Sequence, residues 1–185
     1  MHTGPSDPLP RAGPGVVLRR LRADDLAAFQ AYRRDPGLGR FQGWTPMSDE
    51  EAAQFLAAMS CAPLFRPSQW TQIGIAAPAD RPLIGDIGLH LAADRSQVEV
   101  GFTLARTAQG RGLATEAVRL AVALAFEFTA ADRVVGITDS RNLASVRLLE
   151  RLGMRRVETV ETVFRGEPCI ELVYALPRSA APGRA

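Results

Sequence analysis

The chain has no lysine at all, and every one of its 22 basic residues is an arginine. That absence removes chemistry, because a Walker-type phosphate loop and a Schiff-base enzyme each require a lysine. Cysteine and histidine are nearly missing too. Cys61, Cys169, His2 and His90 are scattered along the chain, whereas a structural zinc site needs four ligands clustered at short spacings. No metal and no disulfide are expected. No apolar run approaches the ~20 residues of a membrane-spanning helix, and the Pro/Gly-rich start lacks the apolar core of a signal peptide. The expected location is the cytoplasm. A net charge of +2 gives no general attraction to nucleic acid.

What is present fits one globular domain: 185 residues with a 46% apolar share. Residues 16–177 are expected to form it, with 1–15 and 178–185 as flexible tails. Val16–Leu21 reads as a strand, and a helix opens at Asp24 and stops at Pro36-Gly37. Ser48 and Glu51 form a capping box for a second helix through Leu56 and Met59. Strands follow at Trp70–Ala76, Leu83–Leu91 and Val98–Ala105, with Pro78, Arg81-Pro82 and Asp94 marking turns. The longest helix runs from Leu113 to Phe128, since Leu113, Ala117, Leu120, Leu124 and Phe128 step by three or four. Arg133–Thr138 is a strand, Asn142 caps a helix ending before Gly153, and Arg156–Phe164 with Cys169–Leu176 closes the chain as a hairpin. The order β-α-α-β-β-β-α-β-α-β-β predicts an α/β (α+β) fold, a mixed, mostly antiparallel sheet flanked by helices.

The segment from Glu99 to Ala117 carries the chemistry. A strand ends, a loop turns, and Gly110-Arg111-Gly112 leads into a helix. The first turn of a helix leaves four N–H groups without partners at the positive end of its dipole. Such an end attracts anions, and glycines let a phosphate approach the backbone. A Gly-x-Gly before a helix is also a common plain turn. The dinucleotide-binding pattern wants a third glycine where this chain has Thr115-Glu116, so it does not apply.

Gln109-x-x-Gly112-x-Ala114 resembles the Q/R-x-x-G-x-G/A signature of the GNAT superfamily of N-acetyltransferases. Asn142-x-x-Ser145, with a helix ending at Glu150-Arg-Leu-Gly153-Met154, resembles that family's next segment. Leu18–Leu21, Trp44-Thr45-Pro46, Ile84–Leu89 and Leu172-Val173-Tyr174 extend the likeness towards the RimJ/RimL type of ribosomal-protein N-terminal acetyltransferase.

The resemblance implies acetyl-CoA as co-substrate and a primary amine as acceptor, either a protein N-terminus or a small molecule. Backbone groups of Phe102 and Leu104 would hold the pantetheine arm. Gln109, Gly110, Arg111, Gly112, Leu113, Ala114 and Thr115 would form the pyrophosphate loop, with Asn142 reaching towards the acetyl end. Glu99 is the candidate base and Asp86 the second choice, placed in the acceptor site with Trp44. The family's tyrosine acid is replaced by Leu149, which leaves Ser145 as candidate proton donor. The same departure keeps open a catalytically weak acyl-CoA-binding protein. A homodimer is common among such enzymes.

Overall fold

The chain enters the sheet earlier than its Pro/Gly-rich start led us to expect. In the computed structural model, which describes residues 7–78 and 82–180, Arg11–Ala12 forms a short strand (β1). It pairs antiparallel with Val17–Arg19 (β2), and Gly13 N–H donates to Val16 O at 2.8 Å in the turn between them. Residues 7–15 are thus part of the fold, while 1–6, 181–185 and Arg81 of the expected Arg81-Pro82 turn lie outside the described residues. The C-terminal boundary also moves. Arg178 donates to the carbonyls of Phe126, Ala131 and Thr129, pinning the chain's exit to the end of the long helix.

After β2 come helices Leu26–Arg33 (α1), Pro36–Gly39 (α2) and Asp49–Cys61 (α3). The Pro36-Gly37 stop is therefore also a start. Asp35 accepts hydrogen bonds from Gly37 and Leu38 N–H, and Pro36 occupies a first-turn position where no N–H is needed. At α3 the Ser48–Glu51 capping box forms as expected. The remaining elements are Trp70–Ala76 (β3), Leu83–Leu91 (β4), Gln97–Leu104 (β5), Leu113–Phe128 (α4), Arg133–Asp139 (β6), Leu143–Arg151 (α5), Arg155–Phe164 (β7) and Glu167–Pro177 (β8).

Among the described residues, eight strands make one sheet in the order β1-β2-β3-β4-β5-β6-β8-β7. Every pairing is antiparallel except β5 with β6. That pair is joined through α4, as a parallel connection requires. The sheet buries both faces. Ile73, Ile87, Val98, Val100 and Val134 pack against Ala117, Val118, Ala121 and Leu124 of α4. Phe29 and Tyr32 of α1 join Ala52 and Leu56 of α3 in a second cluster with Leu21 and Leu83. Each fully buried Leu, Ile or Phe contributes about 1.5–3 kcal/mol.

Candidate active site

The parallel partners separate almost as soon as they meet. Pairing of β5 with β6 covers only Gln97–Arg133, Val98–Val134 and Glu99–Val135, and both strands continue beyond it. Ala105 N–H donates to Ile84 O, which fixes the alternation along β5. Asp86–Thr103 and Gly88–Gly101 bond across the β4 edge, so Phe102 and Leu104 aim their N–H and C=O groups away from β4 and into the opening. A strand edge whose N–H groups, and the second lone pairs of carbonyls already accepting from Gln42 and Gln109, face an opening can take an extended, amide-bearing chain as an added strand.

Where the opening widens it becomes a cavity of about 630 Å³. Phe102, Leu104, Gln109, Gly110, Gly112, Leu113, Ala114 and Thr115 line one side, and Asn142 and Ser145 the other. Gly110 and Gly112 both sit at φ +77°, with nothing within 4 Å of where a Cβ would stand. The left-handed backbone explains the glycines, and the empty space above them is what a phosphate needs to reach the α4 N-terminus. Gln109 Nε2 donates to Leu104 O at 2.8 Å, tying the loop back to β5. Arg111 is exposed and does not line the cavity.

Asn142 caps α5, its Oδ1 accepting from Ser145 N–H at 3.3 Å. Because that cap uses the backbone of Ser145, the Ser145 hydroxyl is left for the cavity. Leu149 is 1% exposed and packs on Gly136 of β6, where a Cβ would come within 2.7 Å of its side chain. It offers no proton.

Glu99 is the last β5 residue paired with β6, at the point where the strands part. It is half-buried and has no ion pair among the described residues. Burial pushes its carboxyl above the usual range, and the nearby charge of Glu171 pushes the same way. Glu99 does not line the cavity. It stands on the opposite face of β5 from Val98 and Val100, in a cross-strand row Trp70–His90–Glu99–Val135. Asp86 is held differently: Tyr32 Oη donates to its Oδ2 at 2.6 Å and Arg33 Nη2 at 2.7 Å, all three side chains buried. Trp44 lies under the Arg33 guanidinium, 4.6 Å from the ring centroid.

Several residues that the motifs did not signal also border the site. Leu38, Phe41 and Gln42 form a third cavity wall, Gln42 Nε2 donating to Phe102 O at 3.3 Å. Arg165, in the last hairpin, donates to the carbonyls of Gln42 and Trp44. These bonds tie the last hairpin to the 42–44 segment. Trp70, 46% exposed, stacks on His90 with ring centroids 5.2 Å apart. It leans over Gly88, where a Cβ would stand 3.0 Å from its ring. Only the pairing of β3 with β4 reveals this neighbourhood.

A splayed parallel pair beside a glycine-lined helix N-terminus defines a site for a phosphorylated molecule with an extended amide arm, and that is the design of an acyl-CoA transferase. The Acetyltransferase (GNAT) domain family matches residues 16–155, and the chain belongs to that family of acyl-CoA N-acetyltransferases. It is 24% identical over 142 residues to the uncharacterised N-acetyltransferase p20 of Bacillus licheniformis, covering 76% of this chain and 79% of p20. Two solved Vibrio cholerae structures share the fold. One is a candidate ribosomal-protein-serine acetyltransferase (21% identical, 92% of this chain and 98% of that one, TM-score 0.73). The other is a spermidine N-acetyltransferase in complex with CoA and spermine (17%, 90% and 97%, TM-score 0.76).

Proposed function

We propose that this chain acetylates a primary amine from acetyl-CoA, with the α-amine of a protein or peptide N-terminus as acceptor, in the manner of the RimJ/RimL branch. The observation that carries this reading is the opening between β5 and β6 beside the Gly110–Thr115 helix entrance. Phe102 and Leu104 offer main-chain groups to the pantetheine amides. The N–H groups of the loop take the pyrophosphate, and Asn142 stands across from them.

Transfer needs a neutral amine. An α-amine titrates near ~7.7–8.0 against ~10.4 for lysine, so a single carboxylate with a raised pKa is adequate help for the former. Glu99 takes the ammonium proton, and the amine nitrogen attacks the thioester carbonyl. The C–S bond then breaks with its electron pair leaving on sulfur; Ser145 gives its hydroxyl proton to the thiolate and regains one, through water, from the nitrogen that must shed its extra proton to become the amide. Asp86 remains the second candidate base, although its buried pairing with Arg33 and Tyr32 favours an anchoring role.

A small-molecule amine is the second reading. It draws support from the shared fold of the spermidine enzyme and from two acidic residues, Glu99 and Glu171, near the acceptor side. A panel of peptide N-termini, polyamines and amino acids, read by mass and by release of CoA thiol, separates them. Acetylated peptide α-amines with inert polyamines support the first reading, and the reverse pattern supports the second. Binding of acetyl-CoA with no thiol release from any amine would leave only a recognition function.

A further inference from the structure

Gly88 of β4 and Gly101 of β5 stand opposite each other in mid-strand, on a ladder that runs in register from Gly85–Leu104 to Leu91–Val98. Neither sits at a turn or a bulge. A glycine inside a strand weakens it, and often marks a close approach by another group. Here that group is the Trp70 indole. A Cβ on Gly88 would stand 3.0 Å from Trp70 Cε3, and one on Gly101 would stand 4.0 Å from Trp70 Cζ3. The ring therefore reaches from β3 across β4 to β5, with His90 stacked on it at 5.2 Å. One side of the indole is bedded on bare sheet, yet the residue stays 46% exposed. Scattered exposed hydrophobics are ordinary, but this one lies on two paired glycines beside the candidate base.

Its position matters because of where β5 and β6 part. Their last pair is Glu99–Val135, and the next residues on the same face are Gly101, under the indole, and Ile137. Ile137 is 41% exposed, while its neighbour Gly136 meets Leu149 of α5 on the other face. On this face the opening thus has Glu99 at its closed end, an indole on one bank and an isoleucine on the other. An amine that gives its proton to Glu99 and attacks an acyl group held between the strands approaches over these banks. One carboxylate between two apolar surfaces suits an ammonium borne on an apolar group. We propose that Trp70 is a specificity residue of the acceptor site, its indole taking a large apolar side chain on the first residue of the acetylated peptide. The assignment rests on the peptide α-amine reading and names the class of N-terminus it selects.

Rates of CoA thiol release test it on peptides that differ only in their first residue (Gly, Leu, Phe or Lys), with spermidine alongside, for wild type, Trp70→Ala and Trp70→Phe. The wild type should favour Leu and Phe over Gly by about tenfold or more in kcat/KM. Trp70→Ala should erase that preference, chiefly through the peptide KM, while acetyl-CoA affinity by calorimetry is retained. Trp70→Phe should restore most of it. A general packing fault would not discriminate between first residues, and thermal melts check that both variants fold. Peptide acetylation without the preference, a preference for Lys instead, or one that survives Trp70→Ala overturns the subsite and leaves the peptide reading standing. A wild-type dimer that Trp70→Ala turns into monomers in sedimentation overturns it too, by giving the exposed ring to a second copy. Turnover of spermidine with no peptide accepted overturns both readings, as does the absence of turnover with every amine.

Discussion

Glu99 combines two properties that oppose each other. Desolvation and Glu171 raise its pKa in the folded chain, so folding favours the protonated form relative to an unfolded carboxyl near ~4.3. Its favourable contribution to stability is complete below that unfolded value and is lost as pH rises through the folded value. Above that folded value the ionised group weakens the fold, and the ionised carboxylate is the form the proposed base needs. Glu99→Gln should therefore be at least as stable as wild type at neutral pH in thermal melts, while kcat falls by ~10²–10⁴-fold. Glu171→Gln removes a like charge from its neighbourhood and should move the acidic limb of the kcat/KM profile to lower pH. Asp86 presents the contrasting case. Removing one partner of a buried ion pair leaves an uncompensated charge, so Asp86→Asn should cost about 3–5 kcal/mol in urea unfolding. A variant of unchanged stability with lost turnover would instead make Asp86 the base.

At the level of elements, two helix starts do separate jobs. The α4 entrance owes its shape to Gly110 and Gly112 in the left-handed region. Gly112→Val should weaken acetyl-CoA binding in a calorimetric titration and cost about 1–2 kcal/mol of stability from its backbone conformation. The domain should stay folded, because nothing lies within 4 Å of the new Cβ. Unchanged affinity would mean the loop is only a turn. The α5 start is capped by Asn142 Oδ1 through the Ser145 N–H, which alanine retains. Ser145→Ala should accordingly keep wild-type stability and the KM for acetyl-CoA while lowering kcat. Wild-type turnover in that variant would assign proton return to water.

Across the whole molecule, the site lies where independent parts converge. The sheet supplies the opening, α4 and α5 flank it, and the 36–44 segment closes one side under the hold of Arg165. The Asp86–Arg33 pair ties α1 to β4 and so links the second core cluster to the sheet. Loss of that tie should loosen the acceptor side before the cofactor side, since Gly110–Thr115 is anchored separately through Gln109 and Leu104.

The sequence alone determined the long helix, the glycine entrance, the Asn142 cap and the strand that leads into that entrance. These are local: residue spacing and φ preference specify them without reference to the rest of the chain. Only the tertiary structure decided which residues arrive from elsewhere. Leu26–Arg33 was legible as a helix, yet nothing in its pattern said that Arg33 and Tyr32 would close on Asp86, 53 and 54 residues away. The Pro/Gly-rich segment before Val16 reads as loose because composition cannot report that β2 offers it an edge. The sequence places Trp44 in a loop and Trp70 at the start of a strand, and only the fold lays an arginine over one ring and a glycine beneath the other. The parting of β5 from β6 follows from the family resemblance and not from either strand's own pattern; it shows in the pairing, which stops at Glu99–Val135 while both strands continue.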